Sequence, residues 1–314
     1  MSPEVKFIVF QFLIIVPFMI GAVLRKRFKS PEESGRKIIR VSLIVFLPQV
    51  VLWTTWKLPM TLDLLLLPVA GFFIVITGFF IGFPASSFLK LKDLRKKTFL
   101  ISSSLVNHGF TMGGFICYLF IGEKGLALAM IMLTYFMPYT FLFIFPYAGF
   151  NGAKEKLIPY FFKNLFSLQN MPLFAVIAAF TLQLLNIPRP KIYYPVDILM
   201  ACGIMLNYFT LGLNFRLSDL AVPLKDHMMI ALIKFMIMPI IVMTILSSLN
   251  VERDIYNTIA IQSFMPAAVY SVVTAVLYRL DVKEASGLFV VNTLLFTVIL
   301  LPLLFFFKEF FFRF

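Results

Sequence analysis

The sequence predicts an all-α polytopic membrane protein: ten transmembrane helices in a 5+5 inverted repeat, with broken, crossing helices 4 and 9. Three observations carry this. The 314 residues are 61% hydrophobic and only 14% charged, with a mean hydropathy of +0.94, which ordinary soluble domains do not sustain. Apolar stretches of about 16 to 24 residues recur along the chain, long enough for helices and too long for barrel strands. Basic residues gather in alternate loops, and two apolar stretches carry helix breakers at matching places.

Taken in order, helix 1 is expected near 5–24. It runs into a basic loop without a small-residue cleavage pattern, so it reads as a span and not a signal peptide. Helix 2, near 39–56, closes on Trp53 and Trp56, where aromatic anchors belong at an interface. Helices 3, 4 and 5 follow near 63–83, 98–120 and 125–148, which makes 1–150 the first repeat. A more polar connection with Lys154, Glu155, Lys156 and Lys163 marks a central cytoplasmic loop at 151–170. Helices 6 to 10 are expected near 171–186, 195–213, 227–248, 255–278 and 285–307, the second repeat occupying 171–314.

The charge pattern orients these spans. With the N-terminus outside, the inside loops hold 19 of the 28 Lys and Arg residues, the outside segments hold eight, and Lys234 lies within a span. That bias predicts both termini outside and the basic loops cytoplasmic. The net charge of +13 therefore records topology, and no nucleic-acid partner is expected. Five helices before the central loop make a duplicated second half enter the membrane upside down. Short charged turns support the duplication, Gly122-Glu123-Lys124-Gly125 after helix 4 and Asp281-Val282-Lys283-Glu284 after helix 9.

Helix 4 contains Ser102, Ser103, Ser104, Asn107, His108, Gly109, Thr111, Gly113 and Gly114 in close succession. Unsatisfied polar groups cost several kcal/mol each in hydrocarbon, so this face must meet protein or a wet cavity. Small residues there also serve plain close packing. The sharper expectation is a discontinuous helix at the midplane, with the paired glycines inviting the backbone to unwind. Helix 9 has Pro266 at the corresponding place, and proline removes a backbone donor. Breaks at Gly113–Gly114 and at Pro266–Ala267 expose orphan N–H groups at the start of each second half, ready for a carboxylate. Asn107 is the first candidate donor, against simple interhelical bonding. Gln262, Thr111, Ser271 and Thr274 are supporting candidates.

Lys234 lies on the order of 10 Å from the inner end of helix 8, and either snorkels or faces the site. His108 either titrates near neutral pH and couples protons, or is a satisfied packing residue. Asn207, Thr210 and Asn214 on helix 7, with Gln49 on helix 2, are candidates for the opposite wall of the pathway.

Several motifs together resemble the auxin efflux carrier family, of the bile acid, arsenite and auxin transporter superfamily. Met265 to Pro302, MPAAVYSVVTAVLYRLDVKEASGLFVVNTLLFTVILLP, looks like that family's ninth and tenth helices. Asn107-His108-Gly109-Phe110 and Gly122-Glu123-Lys124-Gly125-Leu126-Ala127 resemble its fourth helix and the turn after it. Leu47-Pro48, Leu211-Gly212-Leu213, and Lys234 followed by Pro239 extend the similarity over nearly the whole chain. One position departs: Gly114 stands where the family has a proline. The resemblance implies a scaffold of helices 1, 2, 6 and 7, a moving unit of helices 3–5 and 8–10, and an elevator mechanism. It also implies an anion, auxin-like or a dicarboxylate such as malonate or malate, held where helices 4 and 9 cross, and a homodimer through the scaffold.

Other function classes find little support. Cys117 and Cys202 fall in apolar spans without metal-ligand spacing. There is no phosphate-binding glycine-lysine motif and no HExxH motif, so neither ATP drive nor metal-dependent enzymology is expected, and no cofactor. Protons or sodium stay open as coupling ions. Buried carboxylates deep in helices 4, 5, 8 and 9 are missing, which speaks against the sodium-coupled bile-acid type of symporter. A ligand sensor that does not transport is the alternative from another class. The expected location is a prokaryotic plasma membrane.

Overall fold

The computed structural model describes residues 3–149, 171–215 and 222–313. Among them every regular element is helical, and the single β-type pairing is an antiparallel bridge between Val106 and Ala267. Seven helices are long and apolar enough to cross a bilayer: α1 (Phe7–Arg27), α2 (Glu33–Trp56), α3 (Leu62–Phe88), α6 (Glu123–Gly149), α8 (Val196–Asn214), α9 (Leu224–Ser247) and α12 (Val282–Phe306). Shorter helices lie between them, α4 (Asp93–Ser104), α5 (Phe115–Ile121), α7 (Met171–Leu184), α10 (Arg253–Ser263) and α11 (Val269–Leu277), and a single turn at Lys308–Phe311 follows α12. The long helices answer to the expected helices 1, 2, 3, 5, 7, 8 and 10. Expected helices 4 and 9 are each two pieces, and expected helix 6 is described over the 14 residues of α7. The central loop at 151–170 lies outside the described residues.

Proline shapes the long helices in a repeated way. Five-residue π-turns at Ser42–Phe46, Thr140–Ile144, Ile233–Ile237 and Phe296–Leu300 are each followed, two residues on, by Pro48, Pro146, Pro239 or Pro302. A proline ring crowds the carbonyl four residues back and offers no N–H to it. Widening the preceding turn to i→i+5 bonds relieves that crowding without breaking the span.

Close packing sets the pairing. A Cβ on Gly21 of α1 would run into the Phe209 carbonyl, and one on Gly212 of α8 into the Phe18 carbonyl, so these glycines let the two backbones touch. The outward sides carry large apolar residues such as Phe12, Val23, Phe80, Leu142 and Phe306. Buried polar residues concentrate instead around α4, α9 and α10, including Ser102, Ser103, Ser104, His108, Lys234 and Gln262.

Candidate functional site

The centre is built from two interruptions that satisfy each other. After Ser104 the chain leaves the helix, with Leu105 and Gly109 both extended, and helical geometry resumes in a π-turn at Phe110–Gly114 before α5. After Ser263 a second interruption runs to Ala268, also extended, where α11 begins. The Asn107 N–H donates to the Pro266 carbonyl at 2.9 Å, and the Ala268 N–H donates to the Leu105 carbonyl at 3.1 Å. Extended backbone in a bilayer must find its partners within the protein. Here each break is the other's partner.

The first interruption therefore falls at 105–109, before the glycines expected to cause it. Gly113 and Gly114 stay helical and serve close packing. A Cβ on Gly113 would meet the Gln262 side chain, and one on Gly114 the end of Met130. Gly109 faces open space, with no atom near the position of a Cβ, and is half-buried.

Two cationic or titratable side chains close the ends of the first half-helices. Lys234, fully buried in the π-turn of α9, donates from Nζ to the Ser104 and Leu105 carbonyls, 3.2 Å each. Both lie at the C-terminus of α4, where the helix dipole favours a positive charge, and the Leu105 carbonyl also accepts the Ala268 N–H. His108 does the corresponding work for α10, its Nε2 lying 3.1 Å from the Gln262 carbonyl. A carbonyl only accepts, so Nε2 carries the proton, and in the neutral ring the Tyr135 hydroxyl donates to Nδ1 at 2.7 Å. Of the two readings of Lys234, it faces inward. His108 is a satisfied interior residue that also fastens the crossing.

The other expected residues divide. Asn107 is 8% exposed and its carbonyl accepts the Gly113 N–H at 3.0 Å, while Pro266, Ala267 and Gln262 are buried at the same crossing. Ser271 and Thr274 bond back to the carbonyls of Ala268 and Tyr270 within α11. Thr111 lies on the π-turn, its side chain outside the described set. Asn207 lies on α8, donating to the Gly203 carbonyl at 2.8 Å and to Ser42 Oγ at 3.3 Å, with its Oδ1 unpartnered among the described residues. Gly203 beside it lies against the Phe110 ring, and the Tyr208 hydroxyl meets Met112 Sδ at 3.3 Å. Thr210 and Asn214 make local bonds along α8. Gln49 is exposed on α2, accepts from the Tyr194 hydroxyl at 2.9 Å, and is not joined to the crossing by any described contact.

Sequence reasoning missed Tyr135 and Tyr139. Tyr139 meets Ser104 Oγ at 2.6 Å, and Ser104 Oγ donates to the Val75 carbonyl at 2.9 Å, so α3, α4 and α6 share one buried polar chain. Two tyrosines four apart inside a span were the available signal. A surface cavity of about 320 Å³ lined by Trp56, Lys57, Gln183 and Arg189, and an apolar groove of about 410 Å³ between α1 and α8, both lie away from the crossing. The crossing is where the backbone breaks and buried polar groups converge. Among the described residues no three His, Cys, Asp or Glu side chains gather as a metal would need.

Comparison with known proteins agrees with this architecture. The chain is 25% identical over 300 residues to an uncharacterized transporter of Methanocaldococcus jannaschii, an alignment covering 92% of this chain and 96% of that protein. It matches the membrane transport protein family from residue 7 to residue 304. With a match across almost its whole length, this integral membrane chain belongs to that family, the auxin efflux carrier family of membrane transporters.

Proposed function

We propose that the protein is a secondary carrier of small organic anions, auxin-like acids or dicarboxylates such as malonate and malate. The observation that carries the reading is the pair of half-helix starts, at Phe110 and Val269, brought together by the bridge between Val106 and Ala267. Neither start has a side-chain cap; the N–H groups of Met112, Gly113 and Ser271 are taken by the Gly109, Asn107 and Ala268 carbonyls, so an anion would draw on the first N–H of each start, at Phe110 and Val269. Helix N-termini favour anions. Lys234 adds a buried amine donor close to them. Its amine takes the Ser104 and Leu105 carbonyls that a sodium ion would otherwise use, which weighs against sodium at that spot.

The helix pairing supports a ten-helix inverted repeat with an elevator division. If α7 is the sixth helix and α8 the seventh, α1 packs on α8 as α7 packs on α2, and α4 packs on α12 as α10 packs on α6. Exchanging the halves maps one set of pairs onto the other. In this reading α1, α2, α7 and α8 are the scaffold, on which a homodimer would form, and α3–α6 with α9–α12 carry the anion across a prokaryotic plasma membrane. Asn107 and Asn207 approach the anion from the moving and the fixed side.

The test is uptake of labelled malonate, malate and indole-3-acetate into liposomes, wild type beside Asn107→Ala. Saturable uptake by the wild type that is at least tenfold weaker in the variant is expected, for loss of about 1.4 kcal/mol or more of anion binding. No uptake of any anion by folded protein, beside an active control carrier, would leave a ligand sensor as the better reading.

A further inference from the structure

A second polar centre lies where the first turns of α4, α9 and α12 meet. Arg95, Asp226 and Glu284 come from those three turns. Asp226 is fully buried and Glu284 nearly so. Arg95 Nε donates to Glu284 Oε2 at 3.0 Å, and Arg95 Nη2 donates to Asp226 Oδ2. Those two nitrogens form the side of the guanidinium that ordinarily grips both oxygens of one carboxylate. Here the same edge holds one oxygen from each of two acids. The remaining oxygens, Asp226 Oδ1 and Glu284 Oε1, are buried without a hydrogen-bond partner among the described residues.

The charges do not balance. Two carboxylates gripped side by side by one guanidinium repel each other, and burial leaves the surplus negative charge poorly solvated. The first turns of α9 and α12 supply partial positive dipoles, short of a unit charge. Asp281 adds a further acid, since its side chain accepts the Glu284 N–H at 2.9 Å. His227 lies beside Asp226, its ring facing the Val222 backbone. The groups acting on the pair are thus Arg95 from α4, Asp226 and His227 from α9, and Glu284 and Asp281 from α12. A single proton removes the surplus negative charge and turns one orphaned oxygen from an acceptor into a donor.

We propose that Asp226 and Glu284 jointly bind one exchangeable proton, making the inner junction of α4, α9 and α12 a proton site. The proton belongs to the pair and to neither acid alone. With it bound, the two acids and Arg95 are neutral overall and the junction is tight. When it leaves, carboxylate repulsion loosens the helices that carry the first interruption and Lys234. The junction therefore weakens as pH rises through the titration of the pair.

Infrared difference spectroscopy of the full chain in lipid tests this directly and independently of any transport. The expected result is a protonated carboxylic acid carbonyl band at neutral pH that disappears on alkalinisation and is absent from both Glu284→Gln and Asp226→Asn. Those amides keep the size of a protonated acid, so both variants should melt cooperatively, and the melting temperature of Glu284→Gln should vary less with pH than that of wild type. Absence of the band from folded wild type, its persistence in both variants, or a melting temperature raised by sodium or potassium in place of protons would overturn the proposal.

Discussion

Lys234 brings its amine into the middle of the bundle, and what it meets there among the described residues are backbone oxygens and no carboxylate. Its neighbours Leu232 and Met236 are 40% and 56% exposed, so the lysine points to the one side of α9 that lipid does not reach. Replacing it, Lys234→Met, removes a donor from both carbonyls: Leu105 keeps the Ala268 N–H, and the Ser104 carbonyl loses its Lys234 partner. The expected cost is about 1–3 kcal/mol, read as a lowered melting temperature in detergent; an unchanged melting curve would mean that the carbonyls find other partners. The sequence shows that Lys234 is buried in a span but not which way it points, because one residue within a span does not fix the rotation of its helix. Asn107, His108 and Gln262 are legible because polar groups in hydrocarbon need a reason to be there. Arg95, Asp226 and Glu284 are not legible as a group, since they sit 131 and 189 residues apart and each looks like an ordinary loop charge at a helix start.

Between elements, the two interruptions differ in how they are written. Pro266 announces the second, whereas nothing at 105–108 breaks a helix as strongly as proline or glycine would. That first break is held open from outside by the hydrogen bonds to Pro266 and Ala268. The glycines that drew attention, Gly113 and Gly114, have a packing task instead, which gives a separate prediction. Gly113→Ala puts a methyl group against the Gln262 side chain and should destabilise by about 1–3 kcal/mol through overpacking. Adding Gln262→Ala should recover part of that loss, a coupling that a double-mutant cycle measures. Strictly additive losses would place the strain elsewhere. The π-turns before Pro48, Pro146, Pro239 and Pro302 are the more readable lesson, because the proline itself dictates the widening.

For the whole molecule, hydropathy and the Lys and Arg bias were enough to read a polytopic helical protein, because both follow from the bilayer as solvent. Which helices pack together rests on contacts between distant parts of the chain. Among those contacts, Arg189 in the segment between α7 and α8 bonds Glu123 at the start of α6 at 3.1 Å, and the Tyr118 hydroxyl of α5 donates to Asp197 of α8. Both join the expected scaffold to the expected moving unit on the side expected to face outward. A carrier that opens outward must part them. Bridging the doubly substituted Glu123→Cys, Arg189→Cys chain with a short reducible bis-thiol crosslinker should therefore stop anion uptake and release it on reduction; undiminished uptake by the crosslinked protein would show that these surfaces stay together through the cycle. The bridge between Val106 and Ala267 also bears on how the protein is made. A ribosome delivering the first half to the membrane delivers an extended stretch whose hydrogen-bonding partners have not yet been synthesised. Until the residues around Pro266 arrive, that stretch has to borrow water, lipid headgroups or an insertion factor, and a chain truncated before them is an obvious target for membrane proteolysis.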